Sequence, residues 1–241
     1  MTTTALPSLP TPATASPLQR AVDLAGPAGR LEALVNEAAL LKDAAPDASF
    51  AALVCHPHPL GGGTMHNKVV YHAMKALNDP RWGLGCPVLR FNFRGTGLSQ
   101  GVHDGQAEAG DVLAALDWLE NEYRLPLVVV GFSFGAAMAL EACCRPSQMP
   151  ARVRALALLG LPIHAENRNY HYSCLADCRL PKLFLSGAND AYAPAAQLTE
   201  VAASAAEPKQ LVLLPHSDHF FTGQLEPLKA ALAGWLTEQL R

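Results

Sequence analysis

The sequence predicts an α/β fold, a mostly parallel central sheet with helices on both faces. Two observations carry this. Short apolar runs rich in β-branched residues, at 50–55, 88–92, 127–130, 153–159, 183–185 and 210–214, alternate with segments rich in helix formers. Strands that read as continuous apolar runs are buried on both faces, and their alternation with helices marks a covered parallel sheet. The second observation is placement. The polar residues suited to chemistry lie just after these runs, at the carboxyl ends where such sheets collect their sites.

Residues 1–20 are rich in Thr, Pro, Ala and Ser and lack a pattern that could bury surface, so a flexible tail is expected to about residue 22. One domain follows over 23–241. The stretch 31–38 suits a short helix by its helix formers or an antiparallel edge strand by its place before a second strand, the strand being favoured, and 44–47 reads as a turn. Helices are expected over 67–77, 108–123, 194–206 and 225–240. In the second of these, Val112, Leu113, Leu116 and Leu119 fall near i, i+3, i+4, i+7 spacing. Between the strands at 153–159 and 183–185, residues 162–179 read as an irregular polar flap holding His164, Tyr170, His171 and Tyr172.

Composition excludes several classes. The chain has 241 residues, half of them hydrophobic and 16% charged, enough for one large core. A net charge of −3 offers no broad basic surface for nucleic acid. No apolar run reaches 18 residues, so no membrane span is expected. No Lys or Arg precedes Arg20 and no apolar stretch follows one, so the N-terminus does not read as a secretory signal. Six cysteines in a chain this long do not make a disulfide scaffold. Cys55, Cys86 and Cys143 lie in or beside apolar segments and read as buried thiols. A cytoplasmic location is expected.

The stretch that organises the chain runs from Leu125 to Glu141. A buried strand leads into Gly131-Phe132-Ser133-Phe134-Gly135, and a helix dense in Ala, Leu and Met follows. Strand, G-x-S-x-G, helix is the context of a nucleophile elbow, in which a sharp turn lifts a serine clear of the sheet. Gly131 and Gly135 let the chain pass closely on either side. The turn also aims the Phe134 N–H and the helix N-terminus at a developing oxyanion.

A serine hydroxyl needs a base to take its proton and a third group to orient that base. Elbow architectures supply them in chain order, acid then histidine, each after a strand. Asp190 follows the strand near Leu185. In the loop after Leu214, His216, Asp218 and His219 all stand available. A second oxyanion donor is expected from the loop after residue 55. Pro57 and Pro59 lack an N–H, leaving His58 and Leu60 as the candidates, with Gly61 behind them. His56, Gly61, Gly62, Phe132 and Tyr192 are expected to line the substrate pocket. A metal site is a weak reading: neither His56 and His58 with His66 or His72, nor Cys174 and Cys178 with His171, comes with a second ligand pair at ligand spacing. No cofactor is expected. Arg94, flanked by Gly95 and Gly97, has two readings, an anionic-substrate contact or a loop brace on carbonyls or a carboxylate such as Asp104 or Glu108, and the brace is favoured.

These stretches carry a resemblance. The runs 55–70 (CHPHPLGGGTMHNKVV), 90–97 (RFNFRGTG), 131–135 (GFSFG) and 218–221 (DHFF) resemble the small bacterial α/β-hydrolases. More distantly they resemble the dienelactone-hydrolase and serine-aminopeptidase branches. The resemblance covers roughly residues 25–241. It implies an α/β-hydrolase fold, selects His219 in its loop, and gives Ser133, Asp190 and His219 as nucleophile, acid and base. It implies hydrolysis of an ester-like bond in a small-molecule substrate. Ser133 stands where the dienelactone branch has a cysteine, which argues against that activity. The flap is short where lipases and many peptidases carry a large cap, so an open pocket for small or polar acyl groups is expected. The expectation is a serine carboxylesterase. An aminopeptidase or amidase, and a silent hydrolase fold used for binding, are the rivals. An exposed edge at 31–38 could pair two copies.

Overall fold

A computed structural model describes residues 18–38, 48–82, 84–144, 152–165 and 168–240. The expected turn at 44–47 and most of the expected tail lie outside them. The chain begins with a hairpin, β1 (Gln19–Gly26) and β2 (Gly29–Asn36). The first strand therefore takes in residues 19–22, which the composition had assigned to the tail. Its alternating burial, Val22 and Leu24 inward against exposed neighbours, is the mark of a strand with one solvated face. Next come β3 (Ala51–Cys55), α1 (Lys68–Asn78) and β4 (Val88–Phe91). They lead to α2 (Glu108–Tyr123), β5 (Leu127–Phe132) and α3 (Phe134–Cys144). After β6 (Val153–Leu159) the flap forms a two-residue-stranded hairpin, β7 (His164–Ala165) with β8 (Arg168–Asn169), and a 3-10 turn at Ser173–Ala176. The chain ends with β9 (Lys182–Gly187), α4 (Ala195–Ser204), β10 (Lys209–Leu214) and α5 (Leu225–Gln239).

Eight strands form one sheet in the order β1-β2-β4-β3-β5-β6-β9-β10. From β4 to β10 all neighbours are parallel, while β2 is antiparallel to both β1 and β4. The antiparallel strand expected at 31–38 is thus present, but β1 covers it. The edges of the sheet are β1 and β10, and the strand expected at 31–38 to pair with a second copy is paired on both sides within the chain.

Two apolar cores sit on the two sheet faces. One joins α2, α3 and α4 to β5 through Leu116, Leu119, Val129, Leu140 and Leu198; the other joins α1 and α5 through Val70, Leu77, Leu185, Leu232 and Trp235. The central strands β3, β5 and β9 are buried at every position. That explains their unbroken apolar runs. Each fully buried Val or Leu contributes roughly 1.5–3 kcal/mol relative to exposure. This clamps the carboxyl ends of β3, β5, β6 and β9 side by side, and the loops they feed converge there.

Candidate active site

Ser133 sits between β5 and α3 with φ +54, a left-handed conformation that a side-chain-bearing residue rarely adopts. The strain is held by packing. A Cβ on Gly131 would fall 2.4 Å from the Gly135 carbonyl oxygen, and one on Gly135 would fall 2.5 Å from the carbonyl oxygens of Cys55 and His56. Both positions therefore require glycine, and the second brings the loop after β3 directly against the start of α3. Ser133 N–H is tied to Leu159 O at 2.8 Å, which fixes the elbow to β6.

The loops after β9 and β10 bring two further groups to the serine. His219 Nε2 lies 2.9 Å from Ser133 Oγ, and its Nδ1 lies 2.8 and 3.0 Å from the two oxygens of Asp190. Both side chains are buried, His219 at 5% and Asp190 at 3% exposure. Asp190 also accepts from Ser186 Oγ at 2.8 Å and from the Tyr192 and Ala193 N–H groups at 2.8 and 3.0 Å. Burial alone would raise this carboxyl. The hydrogen bond and charge of His219, with Ser186 and the Tyr192 amide, outweigh burial and hold it below the usual value. The rival residues of the loop stand apart. His216 is exposed, and Asp218 accepts from the Phe220 and Thr222 N–H groups at 3.0 and 2.9 Å as a turn residue.

The loop after β3 sorts its own candidates. Leu60 N–H donates to His58 Nδ1 at 3.2 Å, and Gly61 N–H donates to His58 O at 3.1 Å. Leu60, expected as a donor, is therefore occupied, and its side chain is exposed. The His58 and Phe134 N–H groups have no acceptor among the described residues. His56, expected in the pocket wall, is instead fully buried: its Nδ1–H donates to Pro57 O at 2.6 Å, and its Nε2 accepts from Phe93 N–H at 3.0 Å. Desolvation pushes its pKa down to about 4, and a neutral ring is what these two bonds require. Phe132 is likewise buried, with its ring 5.2 Å from that of His219, so it backs the histidine from inside. Tyr192 also packs on His219, its ring centre 4.6 Å away, and reaches the surface. Gly61 and Gly62 are exposed at the loop's 3-10 turn, where Gly62 has φ +78.

Three features were not anticipated. Ser186, which anchors Asp190, lies four residues before it on β9, and only its spacing could have hinted at it. A buried pair, His103 Nδ1 and Glu108 Oε1 at 2.6 Å, lies beside the ring cluster of His58 and Phe134. Cys144 at the end of α3 is joined to Cys178 after the flap by a disulfide, while Cys55, Cys86 and Cys143 are free and buried as expected. Arg94 is a brace, as its setting suggests, but its partner is Asp111, which it grips through Nε at 3.1 Å and Nη2 at 2.6 Å. Among the described residues no group of three His, Cys, Asp or Glu side chains is placed to hold a metal ion, and no helix is long and apolar enough to cross a membrane.

Comparison with known proteins agrees with this geometry. Residues 52–230 match the family model described as an alpha/beta hydrolase domain. An uncharacterized protein of Rickettsia prowazekii is 35% identical over 219 residues, 88% of this chain and 86% of that protein. A solved serine hydrolase "without lid" from Xanthomonas campestris is 30% identical, with a TM-score of 0.78 and 97% of each chain covered. A serine hydrolase homologue from Coxiella burnetii is 31% identical, with a TM-score of 0.76, covering 89% of this chain and 96% of that one. The elbow, the sheet order and the family match together place the chain in one family: it belongs to the α/β-hydrolases.

Proposed function

We propose that this chain is a serine hydrolase that cleaves carboxylic esters of small or polar acids through an acyl-enzyme on Ser133. The observation that carries the reading is the continuous line from Ser133 Oγ to His219 Nε2, and from His219 Nδ1 to Asp190. His219 takes the serine proton as Oγ attacks the acyl carbon. The oxyanion that forms is met by the Phe134 and His58 N–H groups. His219 then passes its proton to the departing alcohol oxygen as the ester C–O bond breaks. Water enters next and gives a proton to His219 as its oxygen attacks the acyl carbon; the acyl–Oγ bond then breaks, His219 returns the proton to Ser133 Oγ, and the acid leaves. Asp190 keeps Nδ1 protonated throughout and stabilises the imidazolium. The short flap leaves the serine reachable, which suits a soluble ester better than a long acyl chain drawn from a lipid phase. The Cys144–Cys178 disulfide suits an oxidising compartment better than the expected cytoplasm.

The test is hydrolysis of 4-nitrophenyl esters from acetate to palmitate by wild type, Ser133→Ala and His219→Ala. Turnover of the short esters by wild type alone supports the reading. High activity on palmitate with none on acetate contradicts the small-substrate part, and inert wild type with folded protein points to a binding role instead.

A further inference from the structure

A cleft of about 890 Å³ opens between the approach to α2, the second turn of α3 and the flap, with Asp104, Gln106, Met138, Arg168, Tyr170 and His171 among its walls. Its wall reaches the helix of the elbow at Met138. Met138 lies one turn along α3 from Phe134, whose ring packs on His58 and His103 at 5.0 and 5.4 Å. Burial, then the nearby charges of His103 and Arg168, pushes the His58 imidazole below its usual pKa, so Arg168 lies within electrostatic reach of the oxyanion loop.

The acidic groups of the cleft are already engaged. Asp104 Oδ1 accepts from the Gln106 and Ala107 N–H groups, both at 2.8 Å, and Glu141 has a partner of its own. Arg168 differs. It donates through Nη1 to the Gly105 carbonyl at 3.3 Å, and its guanidinium lies 5.8 Å from the Tyr170 ring centre. Among the described residues it pairs with no carboxylate. Gly105 has φ +82, and a Cβ there would fall 2.2 Å from Arg168 Nη2, so the glycine makes the seat on which the guanidinium rests. A planar fork held between backbone and aromatic ring, with donors left over, is suited to two-point recognition of a carboxylate.

The geometry of the reaction says which half of the ester reaches this seat. His219 must hand its proton to the leaving oxygen, so the alcohol departs on the His219 side, bordered by the half-exposed rings of Tyr192 and Phe220. We infer that the acyl chain runs the other way, toward the cleft that Met138 lines, that Arg168 is the anion-binding group of an acyl subsite there, and that the preferred substrates are esters whose acyl chain ends in a carboxylate. This inference rests on the esterase reading above.

The test compares kcat/KM for the 4-nitrophenyl monoester of adipic acid with that for 4-nitrophenyl hexanoate, a neutral ester of equal chain length. Wild type prefers the adipate ester by about tenfold or more, the size of a charge-assisted hydrogen bond. That ratio falls about tenfold in Arg168→Gln and by less in Arg168→Lys. Equal values for the two esters in wild type overturn the subsite whether or not a variant folds, and so does an unchanged ratio in folded Arg168→Gln. If wild type hydrolyses neither ester and takes up no fluorophosphonate, the esterase reading itself has failed and the subsite falls with it.

Discussion

The Phe93 N–H donates to His56 Nε2 at 3.0 Å, tying the loop after β4 to the loop that carries the proposed second oxyanion donor. The bond exists only while that nitrogen is unprotonated. The other ring nitrogen already donates to Pro57 O, so the neutral ring satisfies both neighbours and the charged ring satisfies one.

A pH dependence of stability follows. The folded pKa of His56 is about 4 against an ordinary 6.5, so between these values the unfolded chain binds the proton and the folded chain does not. Stability therefore falls as pH drops from 6.5 toward 4, by on the order of 3 kcal/mol from this group alone. Asp190, held low, acts in the same direction at still lower pH. Urea unfolding midpoints from pH 7 to 4 should show the decline, and His56→Gln should flatten it. Equal slopes in the two proteins would refute the assignment.

The proposed His58 oxyanion donor can be separated from the side chain that carries it. His58 has φ −52, a value proline adopts, so His58→Pro deletes the N–H without demanding a new backbone path at that residue. Loss of one such donor should lower kcat by roughly 10²–10³-fold. His58→Ala, which keeps the amide, should retain kcat to within about tenfold of wild type, well short of that loss. Steady-state kinetics on one short ester decides it; equal losses in the two variants would place the effect in the ring.

Asp190→Asn should lower kcat by about 10³–10⁴-fold, because the amide can offer its N–H to Nδ1 and so favour the wrong tautomer. Ser186→Ala removes one of the hydrogen bonds that orient the same carboxylate and should cost about tenfold or less. A Ser186→Ala loss as large as that of Asp190→Asn would mean the acid cannot hold its position on backbone amides alone.

Cys144 and Cys178 close a loop of 34 residues that contains β6 and the whole flap. Loop entropy assigns such a link about 3–4 kcal/mol, or on the order of 6–16 °C in Tm for a chain of this size. Calorimetry of the oxidised protein beside Cys144→Ala/Cys178→Ala measures it. Alkylation mapping that finds six free thiols in non-reduced protein would contradict the link.

The parts of the fold legible in the sequence are those where one local signal suffices. The run at β5 is apolar at every position because both faces are covered, and the spacing of glycines around Ser133 reports contacts that no side chain could fit. The unread parts depend on partners distant in the chain. Nothing local separates β1 from a tail, since half of its residues face solvent and its partner is β2. The apolar pattern of α2 marks Val112, Leu116 and Leu119 but is silent on Glu108 and Asp111, which are equally buried because His103 and Arg94 meet them there. Leu60 and His58 could not be ranked as donors without the turn that occupies one amide and leaves the other open. The Cys144–Cys178 link needed the flap to fold back on α3.

The central claim is that Ser133 is an activated nucleophile. Reaction of the folded protein with a fluorophosphonate, followed by peptide mass mapping, tests it most directly. The account predicts one adduct per chain, on Ser133, absent from Ser133→Ala and strongly slowed in His219→Ala. Absence of any adduct on folded wild type, or an adduct on another residue, would contradict it.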